Sequence, residues 1–192
     1  MYKRRGMKSP VNRTTTVIMG IIVLAVVLVL IMFGYVAVSG ESMLPTIQPS
    51  GEGVIIFRYA NVERGDIVVI DNSDYKLHPT DKLLIKRVIA VGGDTISYKP
   101  DYSYGVQGKI VLKVNGVEID EPYIRNTLYA SDVDNRLGMV EHGMTVPEGC
   151  VYVMGDNRIN SHDSRNFGAI KLDRLTGEAI LLWGSDGLRA IN

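Results

Sequence analysis

The longest hydrophobic stretch of the chain runs from Val17 to Val38 and contains no charged residue. A helix rises about 1.5 Å per residue, so this stretch is long enough to cross a bilayer core of roughly 30 Å. A cleaved signal peptide is the alternative, since basic residues precede the stretch and small residues, Ala37 and Ser39, lie near its end. Signal peptides, however, have hydrophobic regions of only about 7–15 residues. The length therefore favours a retained transmembrane helix over residues 17–38.

Beyond this stretch, short runs of β-branched and aromatic residues alternate with turn-forming Gly, Pro, Asn and Asp, a pattern typical of strands. The Asn115-Gly116 pair suits a type I′ hairpin turn, because both residue types tolerate positive φ. Helical periodicity is nearly absent, so we expect a mainly β domain, an antiparallel sheet or barrel-like structure. The predicted strands are Gly53–Tyr59, Asp66–Ile70, Leu83–Val91, Thr95–Tyr98, Lys109–Val114, Val117–Ile119, Cys150–Met154 and, as the last one, Glu178–Trp183.

The charges predict how these parts are placed about a membrane. Residues 1–38 carry five basic side chains and no acidic one, whereas the rest of the chain holds 16 basic and 21 acidic side chains. Positive charge marks the cytoplasmic flank of a membrane helix. We therefore expect a cytoplasmic tail (residues 1–16), a transmembrane helix (residues 17–38) and an extracytoplasmic β-rich domain (residues 39–192). Residues 123–143 are polar and irregular, and are interpreted as an insertion or a surface loop.

Composition excludes some functions. A domain with excess negative charge argues against nucleic acid, which favours a basic surface, while the basic tail suits anionic lipid headgroups. Cys150 is the only cysteine, so an intrachain disulfide is impossible. Its absence does not decide the compartment, since exported domains without disulfides are ordinary in bacteria.

The segment Ser39–Thr46 follows directly on the hydrophobic stretch and offers a candidate nucleophile. Gly40 permits close backbone approach and Pro45 fixes φ, so Ser42 is predicted to be presented on a turn. Most serines are ordinary surface turn residues, and this segment alone is weak evidence for catalysis.

Lys86 lies at the centre of a predicted strand, on the same face as Leu84, Val88 and Ala90. Such a lysine can extend its amine to solvent at a sheet edge. Alternatively, it is desolvated, and a lowered pKa lets it act as a general base near neutral pH. A serine nucleophile needs such a base within hydrogen-bond reach.

Histidine and metal chemistry are poorly supported. His78, His142 and His162 all lie in polar loops, and His162 belongs to a local Ser-His-Asp set, residues 161–163. Triad members normally come from separated segments, because adjacent residues point in different directions. No two histidines have ligand spacing, and no Gly-rich phosphate loop is present, so neither a metal nor a cofactor is predicted.

A last polar cluster, Gly155–Gly168, follows a predicted strand and is either a long solvated turn or a network that orients a site. With this cluster the chain resembles bacterial type I signal peptidases. Four blocks carry the resemblance in order: Gly40–Thr46; Arg64–Val68; Lys86-Arg87 with Gly92–Asp94; and Gly155–Arg158 with Ser161, Asp163–Arg165 and Gly168.

The resemblance implies a Ser–Lys dyad in which Ser42 is the nucleophile and Lys86 the general base. It implies that Ser161 orients the lysine amine, that Asp163 and Arg165 support the site, and that Arg87 supports the strand. Some members have a serine where this chain has Gly40, and its hydroxyl helps to form the oxyanion hole. Here the hole is expected to depend on backbone N–H groups, chiefly that of Ser42. The implied substrate pocket is shallow and formed by Val38, Gly40, Met43, Leu84 and Ile85.

The function implied is that of a membrane-anchored serine endopeptidase, which removes signal peptides from exported preproteins after small residues through an acyl-enzyme. Its expected partners are preprotein signal peptides and the lipid bilayer, and the secretion translocon is a candidate. One rival is a self-cleaving repressor of the SOS type, against which the membrane helix counts. The other is a non-catalytic anchored β domain that captures peptides, for which Ser42, Lys86 and Ser161 would be coincidence.

Overall fold

The structure is a computed structural model that describes residues 12–49, 51–124, 126, 128–129 and 143–191. Most of the predicted basic tail and of the irregular region 123–143, including His142, lies outside the described residues. The chain forms two compact units, Met1–Phe33 and Gly34–Asn192.

The first unit contains helix α1, Arg13–Met32, and Asn12 caps it by accepting a hydrogen bond from the Thr14 N–H at 3.2 Å. This helix begins four residues before the predicted start at residue 17 and ends six residues before the predicted end at residue 38. The hydrophobic stretch continues, but Phe33–Ala37 forms a strand instead. Glycine weakens a helix, and aromatic and β-branched residues favour strands, so available sheet pairing decides the conformation of this segment.

The second unit is built mainly from antiparallel strands, which confirms the predicted mainly β fold with one N-terminal helix. Short 3-10 helices occupy Tyr102–Tyr104 and Leu172–Arg174, and a one-turn helix, α2, occupies Ser164–Phe167. The strands are β1 (Phe33–Ala37), β2 (Gly53–Phe57), β3 (Ile67–Asp71), β4 (Leu83–Val91), β5 (Thr95–Asp101), β6 (Lys109–Val114), β7 (Val117–Glu118), β8 (Met144–Thr145), β9 (Cys150–Met154), β10 (Ile170–Lys171), β11 (Leu175–Gly184) and β12 (Gly187–Ala190).

Two sheets organise these strands. The larger has the order β1-β2-β11-β3-β4-β9-β10, with β12 paired to β11, and the smaller has the order β7-β6-β5-β8. The predicted hairpin joins β6 and β7, and Asn115 and Gly116 have φ values of 54° and 79°, as a type I′ turn requires. The prediction that Glu178–Trp183 is the last strand is wrong, because β12 follows it. β12 is exposed along its whole length and therefore lacks the hydrophobic alternation that reveals a half-buried strand.

The larger sheet places β4 between β3 and β9 and thus buries most of it. Leu84 and Val88 belong to one hydrophobic cluster, as their shared strand face predicts. Ala90 lies in another cluster, because the register of β4 against β9 shifts between Val88 and Ala90. A bulge of this kind breaks the alternation of faces, so Ala90 is not part of the surroundings predicted for Lys86.

Candidate active site

Ser42 lies on a turn that the hydrophobic core holds in place. Met43 and Ile47 are buried in one core cluster, and the Ile47 N–H donates to the Met43 carbonyl at 3.0 Å. Ser42 itself stays partly exposed, and its carbonyl accepts a hydrogen bond from the Asn157 N–H at 3.0 Å. The buried neighbours and the hydrogen bond from Asn157 therefore fix the backbone of the turn, and the Ser42 hydroxyl remains accessible.

Lys86 reaches this hydroxyl from the centre of β4. Its Nζ lies 2.7 Å from Ser42 Oγ and 2.9 Å from the Ile85 carbonyl oxygen. Only 3% of the lysine is exposed, so the interpretation of a lysine that extends to solvent does not describe this residue. Burial lowers the pKa of Lys86 to about 8, although the charge of Asp163 acts in the opposite direction. An amine with this pKa is neutral in about one molecule in ten at pH 7 and in about half at pH 8, and the neutral form can accept a proton.

Arg87, the next residue, lies on the opposite face of β4 and supports the strand through a buried ion pair. Its Nε and Nη2 donate to the two carboxylate oxygens of Asp156 at 2.9 and 2.7 Å, and its Nη1 donates to the Gly65 carbonyl at 2.8 Å. Asp156 also accepts a hydrogen bond from Thr46 Oγ1 at 2.5 Å. One carboxylate therefore ties the nucleophile turn, β4 and the loop after β9 together.

Asp163 and Arg165 form a second buried pair. Arg165 donates from Nε and Nη2 to the Asp163 carboxylate at 2.8 Å each, and the Gly155 N–H donates to the same carboxylate at 3.0 Å. Burial alone would raise the pKa of Asp163, but the hydrogen bonds and charge of Arg165 outweigh it and hold the pKa below its usual range. Asp163 also caps α2 by accepting from the Arg165 N–H. The pair thus holds the cluster 155–168 in one conformation.

Ser161 was predicted to orient the lysine amine. Its Oγ is buried and makes no hydrogen bond of normal geometry to the residues that the structure describes, although it lies close enough to Asp163 to help lower the pKa of that carboxyl. A Cβ on Gly155 would lie 2.4 Å from this oxygen and 2.4 Å from the Ser42 carbonyl oxygen, so Gly155 permits their close approach. The structure therefore brings Ser161 beside the nucleophile turn, and its role toward Lys86 stays a prediction.

A groove with a volume of about 310 Å³ opens beside Ser42 and Lys86. Its lining also includes charged residues of the loop before β4, among them Asp81 and Lys82. Every residue predicted for the substrate pocket contributes to its lining, namely Val38, Gly40, Met43, Leu84 and Ile85.

His78 and His162, the two histidines among the described residues, do not line the groove. His78 Nδ1 lies 3.3 Å from Asp81 Oδ2, and the His78 and His162 rings contact each other with centroids 5.5 Å apart. Asp163 binds Arg165, so the local Ser-His-Asp set does not form a triad. Across the described ranges, no group of three or more His, Cys, Asp or Glu side chains could hold a metal ion.

Several residues that the structure brings to the site have roles that the sequence did not indicate. Arg158 is buried, donates to the Gly155 carbonyl at 3.0 Å and pairs with Glu121. Thr46 and Asn157 contact partners more than a hundred residues away in sequence. The block of residues 155–158 was part of the resemblance to signal peptidases and so indicated a functional segment. A local sequence pattern, however, carries no information on which distant group each side chain contacts.

A serine hydroxyl within hydrogen-bond distance of a buried lysine of lowered pKa, beside an open groove, is the arrangement expected of a Ser–Lys hydrolase. Comparison with known proteins narrows this class. Residues 11–183 match the model of the Peptidase S26 family, described as signal peptidase. The chain therefore belongs to the signal peptidase family, whose members are serine peptidases, and the predicted resemblance and enzyme class are confirmed.

Individual relatives of the chain are also signal peptidases. The chain is 35% identical to signal peptidase I of Bacillus caldolyticus over 78% of each chain. It is 36% identical to signal peptidase I T of Bacillus subtilis, over 81% of this chain and 78% of that one. It is 34% identical to signal peptidase IB of Staphylococcus aureus, over 73% and 72%. A crystal structure of signal peptidase I from Enterococcus faecalis, 25% identical, covers 62% of this chain and 97% of its own, with a TM-score of 0.42.

Proposed function

We propose that this chain cleaves signal peptides from exported preproteins, with Ser42 as the nucleophile and Lys86 as the general base. The observation that carries the assignment of these two residues is the 2.7 Å distance between Ser42 Oγ and the buried Lys86 Nζ. Membership of the signal peptidase family supports the substrate class.

The reaction follows from the protonation state of the lysine. Neutral Lys86 accepts the Ser42 proton as Oγ attacks the scissile carbonyl carbon, and the Ser42 N–H stabilises the oxyanion that forms. The C–N bond then breaks, and the Lys86 ammonium gives its proton to the leaving amine of the mature protein. Water, activated by the neutral lysine, next attacks the acyl-enzyme ester, releases the signal peptide and restores the serine.

The groove accounts for the choice of substrate. An extended peptide can lie along it, with main-chain hydrogen bonds for affinity and alternate side chains directed into the lining. Buried Val38, Met43 and Leu84 line the groove with apolar side chains, which suits small residues such as alanine beside the scissile bond.

The location of the reaction is also part of the proposal. Helix α1 contains 20 residues, about 30 Å at 1.5 Å each, and carries no charged side chain after Arg13. We propose that it crosses the cell membrane once, with the N-terminus cytoplasmic and the peptidase domain extracytoplasmic. There the site would meet signal peptides as they leave the translocon, beside the lipid bilayer.

The test uses the purified full-length chain in detergent micelles with a preprotein substrate. Cleavage should release the mature protein, and a fluorophosphonate-type serine probe should label the protein once, at Ser42. Ser42→Ala should abolish cleavage and labelling, whereas Ser185→Ala, in the exposed turn between β11 and β12, should retain both. Binding of the preprotein without cleavage would favour the peptide-capturing β domain, and cleavage of this chain itself would favour a self-cleaving repressor.

A further inference from the structure

Asn157 holds both carbonyl groups that flank the nucleophile. Its backbone N–H donates to the Ser42 carbonyl at 3.0 Å, and its side-chain Nδ2 donates to the Glu41 carbonyl at 3.2 Å. Asn157 lies in the loop after β9 and reaches a turn 116 residues earlier in the sequence. The side-chain contact is the informative one, because the Glu41 carbonyl belongs to the peptide group that also contains the Ser42 N–H.

A peptide group is planar, and in its trans form the C=O and N–H bonds point in opposite directions. The Glu41–Ser42 bond is trans. Any hydrogen bond that fixes the direction of the Glu41 carbonyl therefore also fixes the direction of the Ser42 N–H. Among the described residues, this N–H donates to no other group. It is thus available to a substrate, as a donor to an oxyanion must be.

The Glu41 carbonyl accepts a second hydrogen bond, from the Leu44 N–H at 3.1 Å. Leu44 belongs to the same turn and moves with it, so this bond fixes the shape of the turn but not its direction relative to the base. Asn157, by contrast, follows β9, which pairs with β4 through Arg87 and Met154, beside Lys86. The Asn157 bond therefore relates the peptide group of the nucleophile to the strand that carries the lysine.

Orientation of the Ser42 N–H is especially important in this chain. Gly40 lines the groove together with Ser42 and has no side chain that could donate a hydrogen bond, so the Ser42 N–H has a larger share of oxyanion stabilisation. Removing one donor from an oxyanion hole lowers kcat by about 10²–10³-fold. A donor that is present but free to turn away should cost less, because the correct orientation is still populated.

We propose that Asn157 is a positioning residue that orients the Ser42 N–H toward the oxyanion by holding the Glu41 carbonyl. The inference rests on the proposed function, in which Ser42 is the nucleophile. The side-chain Nδ2 of Asn157 is the atom that positions the peptide group, since the hydrogen bond from the Asn157 backbone to Ser42 is independent of the side chain.

Two substitutions test the side chain. Asn157→Asp keeps its shape and replaces the donor by an acceptor, and Asn157→Ala removes it without adding charge. The matched controls are Asn160→Asp and Asn160→Ala, because Asn160 is exposed and its Nδ2 lies 3.3 Å from the side-chain Oε2 of Glu41, not from the peptide group. Each variant is assayed as the full-length chain in micelles, with a peptide substrate that has alanine one and three residues before the cut.

The decisive quantity is the kcat plateau at high pH, where Lys86 is neutral in every variant and a change in its pKa no longer matters. Both Asn157 variants should lower this plateau by about tenfold to a hundredfold, with KM within about twofold of the unmodified chain. Asn157→Ala should leave the pH midpoint unchanged, and both Asn160 variants should keep the full plateau. A merely structural role would instead change KM and the melting temperature together with kcat.

A plateau within about twofold of the Asn160 variants for both Asn157 substitutions would overturn the proposal, as would a loss confined to KM. Ser42→Ala separates this result from the proposed function. If Ser42→Ala is inactive and the Asn157 variants are normal, only the positioning role is wrong. If Ser42→Ala still cleaves, the nucleophile is misassigned and both proposals fail.

Discussion

Lys86 combines two opposing influences on one amine. Transfer of an ammonium into an apolar interior is unfavourable, and burial is the largest cause of its lowered pKa. The carboxylates of Asp163 and Asp81 favour the charged form and keep the pKa from falling further, to a value of about 8. The surrounding charges therefore leave a base that is partly neutral, and still basic enough to take a proton from serine.

The first prediction concerns this protonation. Neutral Lys86 is the active form, so kcat should rise with pH and reach a plateau above the pKa of about 8. The midpoint should lie well below the reference lysine pKa of about 10.4. Lys86→Met removes the base and should abolish turnover. Lys86→Arg should be equally inactive, because a guanidinium stays protonated at every accessible pH. Peptide cleavage measured from pH 6 to pH 10 checks all three expectations.

Two further measurements separate loss of the base from loss of the fold. Circular dichroism should show that both variants fold, since the substitutions remove a base more than a packing element. Lys86→His is the subtler control, because imidazole can accept a proton but is too short to reach Ser42 from β4, and we expect little activity. Near-normal turnover by a folded Lys86→Arg variant would mean that positive charge alone suffices, and the general-base role would be wrong.

At the scale of elements, β4 brings the base and the substrate pocket together. Leu84 and Ile85 precede Lys86 and line the groove, although each packs against a different core cluster. Leu84→Ala or Ile85→Ala should enlarge the groove and admit larger residues one or three positions before the cut. A peptide library with those two positions varied, analysed by mass spectrometry, measures the cleavage profile.

Loss of stability must be separated from this effect, because truncation of a buried Leu or Ile to Ala costs about 2–5 kcal/mol. Ile89→Ala is the matched control, since Ile89 is buried in the same strand, in a cluster away from the groove. It should lower the melting temperature and leave the profile unchanged. If the profile stays unchanged in Leu84→Ala and Ile85→Ala as well, β4 does not select the substrate side chains.

The accuracy of the sequence predictions follows the range of the interactions involved. β4 and β9 have the predicted bounds, because turn residues border each apolar run. The β6–β7 hairpin depends on two adjacent residues, Asn115 and Gly116, and was equally accessible. The end of α1 at Met32 could not be predicted from the sequence, because β1 is as apolar as the helix before it. Only the pairing of β1 with β2 distinguishes the two segments.

The same limit applies to the site at the scale of the whole molecule. Ser42, Lys86 and the cluster 155–168 come from three distant segments, and a known family pattern is what linked them in the sequence. The residue types could suggest a nucleophile and a desolvated base, but not their separation of 2.7 Å. The contact of Asn157 with the Glu41 carbonyl depends on the registers of β9 and β4, which no local pattern contains.

The last prediction is the orientation of the chain in the membrane. The five basic residues of the segment 1–38 all precede or begin α1, and no acidic residue accompanies them. Moving that charge across a bilayer is unfavourable, so the tail should stay cytoplasmic and the peptidase domain should lie outside. Protease added to intact spheroplasts should digest the domain and spare a tag placed at the N-terminus. Replacing Lys3, Arg4, Arg5 and Lys8 by Gln should weaken this preference and protect part of the population. Full protection of the domain in the unmodified chain would place the site in the cytoplasm, away from exported preproteins, and would contradict both the orientation and the substrate class.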